Sequence, residues 1–231
     1  MALHKPDPRF TQSLKARRNF RLAVKIALVC VGVIWVIFIV DAVFGLRLGR
    51  YGLRPGSVSG LTGILAAPLL HANFQHILSN TLPLFISMTA TLYLYPRSAF
   101  RVIPMIWLGS GLLAWFIGRP NLHYGASGLI YGLLAFVFFS GLFRRDMRSV
   151  SVSLLVGFLY GSMIWGVLPI RPQMSWEMHL SGMVFGSLLA VLYRNWDRAP
   201  ILRYEWEDDD SVPDWYPEAK DDDDFDLPDK Q

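Results

Sequence analysis

The chain of 231 residues contains a single cysteine, Cys30, which rules out an intramolecular disulfide and leaves the redox compartment unread. No A-x-A-like cleavage site follows the long charged N-terminal region, so a cleavable signal peptide is not expected. Acids are scarce over most of the length. Ahead of residue 197 there are four, Asp7, Asp41, Asp146 and Glu177, against 18 lysines and arginines. There is no internal repeat, and the polar groups of the apolar runs cluster toward one end. Both features argue against a small transporter or channel with a polar midplane site.

What the chain has in excess is apolar surface: 53% of its residues are hydrophobic, above the range of about 45–50% usual for a soluble domain. Six apolar runs cover roughly residues 22–44, 74–95, 100–118, 126–143, 150–168 and 178–193. A helix needs about 20 residues to cross the hydrocarbon, so these runs predict an all-α membrane protein with six spans. The fifth run contains Gly157, Gly161 and Gly166, which a membrane helix tolerates and which read as packing residues together with Tyr160. The first loop, residues 45–73, is the longest connection; its apolar piece Leu61–Leu65 is too short to span and reads as an interfacial element.

Charge sets the expected orientation. Fifteen lysines and arginines flank the runs on the side of the N-terminus and after runs two, four and six. The other side has five: Arg47, Arg50, Arg54, Arg119 and Arg171. The positive-inside rule then puts both termini in the cytoplasm. The expected organisation is a basic N-terminal segment (1–20), a six-helix domain (21–196) and an acidic tail (197–231). That tail holds 14 of the 18 acids, Asp208–Asp210 and Asp221–Asp224 among them. Its composition reads as a disordered, solvated segment.

Three polar constellations remain. Gly125-Ala126-Ser127-Gly128 opens the fourth run, with Tyr131 one turn after Ser127 and Gly132 following. His179 opens the sixth run, and Gly182 and Gly186 continue nearly its stripe. Small residues let helix backbones approach closely, so the two segments could press together and bring Ser127 Oγ to the imidazole. The loop parity puts Ser127 and His179 at the same depth, near the outer end. His71, His76 and Asn80 sit at the outer end of the second run, with His76 and Asn80 four residues apart on one face. A serine needs a base to become a nucleophile, and the tetrahedral oxyanion of acyl transfer needs donors. An imidazole, a side-chain amide and the Ser127 backbone N–H could supply them. No carboxylate accompanies the pair: Asp41 ends the first run, and Glu177 is expected at the interface. A dyad is therefore expected in place of a Ser-His-Asp triad, with Tyr131 orienting His179 by ring contact.

These pieces resemble the rhomboid intramembrane serine proteases. The resemblance rests on His71-Ala-Asn-Phe-Gln-His76-Ile-Leu-Ser-Asn80, on Gly125-Ala-Ser127-Gly128 with Tyr131, and on His179-x-x-Gly182-x-x-x-Gly186. They fall in order on the second, fourth and sixth helices, over about residues 20–195. The resemblance implies a six-helix rhomboid-like bundle. It makes Ser127 the nucleophile and His179 the base, with His76, Asn80 and the Ser127 amide forming the oxyanion hole and Tyr131 stacked on His179. The loop after the fifth helix would cap the site. Gly125, Gly128, Gly182 and Gly186 would support it. The substrates implied are transmembrane segments of other proteins. The Trp-Arg pair that some members carry in the first loop is absent between residues 45 and 73.

Taken singly, each residue has a plainer explanation. A membrane serine usually bonds its own backbone, an asparagine bridges helices, and a histidine near a helix end is often interfacial. His71 reads as shaping the entrance of the second helix, and His4 and His123 as loop residues without partners. No metal or cofactor and no nucleic acid is expected; the expected partners are transmembrane protein substrates and the lipid bilayer, in a bacterial inner membrane with the site open to the outer side. Nothing specifies an oligomeric state. The alternative is a catalytically inactive rhomboid-like scaffold that binds membrane helices.

Overall fold

A computed structural model describes residues 13–144, 146–170 and 173–198. The first twelve residues with His4, Arg145, Arg171 and the acidic stretch after residue 198 lie outside the described residues. Among the described residues there are seven α-helices: α1 (Leu14–Phe44), the short α2 (Thr62–Ala66), α3 (Phe74–Leu94), α4 (Ala99–Ile117), α5 (Ser127–Arg144), α6 (Met147–Tyr160) and α7 (Trp176–Leu192). The chain from Gly161 to Val167 continues α6 as a 3₁₀ segment. Extended pairing among the described residues is limited to one bridge, Leu53 with His123.

Five of these segments are long and apolar enough to cross a membrane: α1, α3, α4, α5 and α6 with its 3₁₀ extension. Helix α7, at 17 residues, is a shorter apolar helix. Their outward faces are hydrocarbon-like. On α1, Leu22, Val29, Val36 and Val43 recur every seven residues and are all more than half exposed, while Ala23, Ala27 and Ile34 turn inward. Helix α1 starts inside the segment expected to precede the membrane domain, because the Ser13 hydroxyl caps it by accepting from Ala16 N–H at 3.1 Å. A hydrogen bond from Trp35 Nε1 to Thr81 Oγ1, at 3.0 Å, ties α1 to α3.

Helix α5 is the axis of the bundle. Most of its residues are buried, and α3, α4, α6 and α7 pack around it. Its closest neighbour is α7, and the reason is glycine. A Cβ at Gly182 would run into Gly128 O, and one at Gly186 into Gly132 O; at Gly128 a Cβ would lie 3.2 Å from Met178 O. Backbone therefore meets backbone along this seam, and any side chain would wedge it apart.

The first loop is strapped to the C-terminal half of α4 through its backbone. Trp115 Nε1 donates to Ser57 O at 2.9 Å, Trp107 Nε1 to Leu65 O at 3.2 Å, and Gly56 N–H to Trp115 O at 3.0 Å. Leu53 and His123 exchange two backbone hydrogen bonds of 2.8 Å, joining this loop to the one that precedes α5.

Candidate functional site

Two local devices set the chain just before α5. Gly125 N–H donates to Ala67 O at 2.8 Å, which pins the approach to the end of the first loop. Gly125 itself has φ +124°, a backbone region open in practice to glycine alone. Ser127 is then the first residue of α5, where backbone N–H groups have no partner within the helix.

Across the glycine seam, His179 Nε2 lies 2.8 Å from Ser127 Oγ. The other ring nitrogen, Nδ1, lies 2.9 Å from Gly166 O. A carbonyl only accepts, so Nδ1 carries the proton and Nε2 presents its lone pair to the serine hydroxyl. Tyr131 stacks on the imidazole, with centroids 4.1 Å apart and planes within 5°, and its hydroxyl donates to Met163 O at 2.8 Å. Ring and tautomer are thus held by Tyr131 on one face and by a backbone carbonyl at one edge.

Gly166 is the residue the sequence reading passed over as a packing glycine. A Cβ there would strike the Tyr131 hydroxyl and come within 3.3 Å of His179 Nδ1. The bare backbone lets the carbonyl reach the imidazole. The 3₁₀ segment that carries it also borders a cavity of about 410 Å³, lined by Tyr131, Met163, Trp165, Leu168 and Met174.

Against Gly125, two residues before Ser127, stand His76 and Asn80 of α3. Asn73 caps that helix, its side chain accepting from His76 N–H at 2.9 Å, which fixes the turn carrying His76. His76 Nδ1 is the acceptor for Ala72 N–H in a long contact of 3.5 Å, leaving the ring proton on Nε2. A Cβ on Gly125 would lie 2.7 Å from His76 Nε2 and 3.7 Å from Asn80 Nδ2, so both groups face the space that this glycine leaves empty. Asn80 is buried, and its Nδ2 has no acceptor. A buried unpaired amide donor costs stability, so one that faces the space left by Gly125 calls for a function.

Three residues differ from the sequence expectation. Glu177, expected at the interface and without a stated partner, is fully buried within the protein, where it pairs with Arg119, accepting from its Nε, Nη2 and backbone N–H. Arg119 Nη2 also reaches Met174 O at 2.9 Å, so the pair clasps the loop before α5 to the start of α7. Glu177 is thereby committed to a cation and does not serve His179. His123 is buried and partnered, its Nε2 3.0 Å from Arg119 O. His71 does more than shape an entrance: it is buried, its Nε2 lies 3.5 Å from Ala126 N, and its ring meets His76 edge-on at 5.2 Å. Burial, and then the neighbouring His76, push its pKa down to about 4, so it is neutral and able to accept from Ala126 N–H.

The chain belongs to the rhomboid family: the Rhomboid domain model matches residues 58–196. It is an integral membrane protein with an all-helical fold. It is 39% identical to the uncharacterized protein Rv1337 of Mycobacterium tuberculosis over 172 residues, which is 70% of this chain and 71% of that one. It is 35% identical to the uncharacterized protein ML1171 of Mycobacterium leprae over 169 residues, 69% of this chain and 66% of that one. A Bacillus subtilis protein named "Putative rhomboid protease YdcA" is 30% identical over 154 residues, 61% of this chain and 72% of that protein.

Proposed function

We propose that the protein is an intramembrane serine endopeptidase that cleaves peptide bonds in or near transmembrane segments of other membrane proteins. The observation that carries this reading is the 2.8 Å approach of Ser127 Oγ to His179 Nε2 in a tautomer fit to accept a proton. Ser127 attacks the scissile carbonyl while His179 takes the hydroxyl proton. The oxyanion forms in the space beside Gly125 that Asn80 Nδ2 and His76 Nε2 face, with the Ser127 backbone N–H as the third donor; the open space at Gly125 supports this reading. His179 then protonates the leaving amine, and water hydrolyses the acyl-enzyme. No carboxylate takes part. The Gly166 carbonyl and the Tyr131 ring hold the imidazole in the place of a third residue.

The substrate helix must unwind to present its peptide bond, because a helical amide is shielded by its own hydrogen bonds. The membrane domain is read as six spans, with α7 the shortest, both termini cytoplasmic and the site open to the opposite side of a bacterial inner membrane. The first loop lies against the interface.

Ser127→Ala and His179→Ala are expected to abolish cleavage of a model transmembrane substrate in detergent while expression stays normal. A fluorophosphonate probe should label the wild type and not Ser127→Ala. Absence of labelling in the folded wild type would favour the non-enzymatic scaffold that binds membrane helices, and activity surviving in Ser127→Ala would refute the nucleophile.

A further inference from the structure

At the end of the bundle remote from Ser127, a second cavity of about 440 Å³ opens between the start of α1, the α3–α4 turn and the start of α6. Four cations line it: Lys15, Arg97, Arg148 and Arg198. Two carboxylates line it as well, but both are engaged with backbone and hydroxyl donors. Asp146 caps α6, accepting from Ser149 N–H at 2.9 Å. Asp197 accepts from Arg97 N–H at 2.8 Å, Ser98 N–H at 3.0 Å and Ser98 Oγ at 2.8 Å. Among the described residues the single ion pair is Arg119–Glu177, at the other end of the molecule.

Arg198 donates to Asn195 Oδ1 at 2.6 Å, while Lys15, Arg97 and Arg148 are short of acceptors. Arg148 lies 4.4 Å over the Tyr93 ring, and its Nη2 is buried with no partner. Behind the cavity, Arg144 is more than nine-tenths buried; it donates to the carbonyls of Asp197 and Tyr193, and its Nε is unpartnered. Guanidinium N–H groups removed from water without an acceptor are costly, and a fork of such donors fits a phosphate.

We propose that this cavity binds the phosphate of an anionic phospholipid from the leaflet on that side. The place argues for a lipid. The cavity sits where the apolar helices end, and apolar side chains flank it: Leu14 beside Lys15, Phe100 after the α3–α4 turn and Met147 beside Arg148 are all exposed. Phe20 rests edge-on against Tyr93, 5.1 Å away, which gives the wall an apolar aromatic face. A headgroup phosphate can thus meet Arg148, Lys15 and Arg97 while its acyl chains run down the outside of α1 and α6. A zwitterionic headgroup would bring an ammonium against four cations and is disfavoured.

The test uses the full chain, delipidated in mild detergent and offered phosphatidylglycerol or phosphatidylcholine of equal chain length, with bound lipid counted by native mass spectrometry. Phosphatidylglycerol should be retained at least about tenfold better than phosphatidylcholine. Arg148→Gln and the exposed pair Lys15→Gln with Arg97→Gln should each lower that retention, by about fivefold per charge removed. The exposed pair keeps the test decisive where Arg148→Gln fails to fold. Millimolar inorganic phosphate should not displace the lipid. Equal retention of both lipids, unchanged retention in the folded exposed pair, or displacement by inorganic phosphate would overturn the proposal. So would a photocrosslinker at position 97 that captures the chain's own acidic residues 203–231 in place of lipid.

Discussion

At the scale of single residues, the proposed chemistry depends on which atoms are left without partners. Asn80 Nδ2 is buried with no acceptor, and Gly125 leaves open the space it faces. If an oxyanion forms there, Asn80→Ala should lower kcat by about 10²–10³-fold with little change in KM, since the donor acts on the transition state. Gly166→Ala should cost about 10²-fold in kcat at unchanged expression, because the new methyl strikes Tyr131 and displaces the carbonyl that holds His179. His71 supplies a pH dependence of stability. Its ordinary value of 6.5 is lowered to about 4 by burial, so the unfolded chain binds a proton that the folded one does not. Stability is then full above about pH 6.5 and falls as the pH drops toward 4. Apparent melting temperatures in detergent, compared at pH 7 and 5, should show a smaller drop for His71→Gln than for the wild type.

At the scale of elements, the seam between α5 and α7 decides whether a site exists. The two helices can carry Ser127 and His179 to 2.8 Å only because Gly128, Gly132, Gly182 and Gly186 let their backbones touch. Gly182→Ala puts a methyl against Gly128 O and should destabilise the fold by about 1–3 kcal/mol. Cleavage should fall more than the melting temperature alone explains, since separating the seam lengthens the Ser127–His179 contact. A comparison of the thermal shift with kcat for Gly182→Ala and for the exposed Val184→Ala checks this. The Arg119–Glu177 clasp acts at the same scale. It fixes the first turn of α7, two residues before His179, to the loop that leads into α5.

At the scale of the whole molecule, the proposed catalytic site and the proposed lipid cavity lie at opposite ends. Ser127, His76 and Asn80 share the end that carries the first loop, and the cationic cavity lies at the end that carries the start of α1 and residue 198. On a Cys30→Ser background in a bacterial host, Arg50→Cys should react with an impermeant maleimide in intact cells made porous at the outer membrane. Arg194→Cys should react only after lysis. The reverse pattern would refute the proposed orientation.

Much of the fold was legible because a hydrocarbon environment imposes a length and a composition on each helix. The runs read at 74–95, 100–118 and 126–143 appear as α3, α4 and α5 within one or two residues at each end. Residue types also announced the polar groups that hydrocarbon penalises, Ser127, His179, His76 and Asn80, and the glycines that would let two of their helices meet. Three features were out of reach. The partner of His179 Nδ1 is the Gly166 carbonyl, and a backbone carbonyl has no signature in residue type. The burial of Glu177 follows from Arg119, 58 residues away, and the contact of His71 with Ala126 spans 55. Sequence by itself determined which segments must leave water and which side chains would be costly there. Only the tertiary structure decided how those side chains are satisfied, because hydrogen bonds between distant segments depend on how closely the helices dock, and local pattern does not carry that distance.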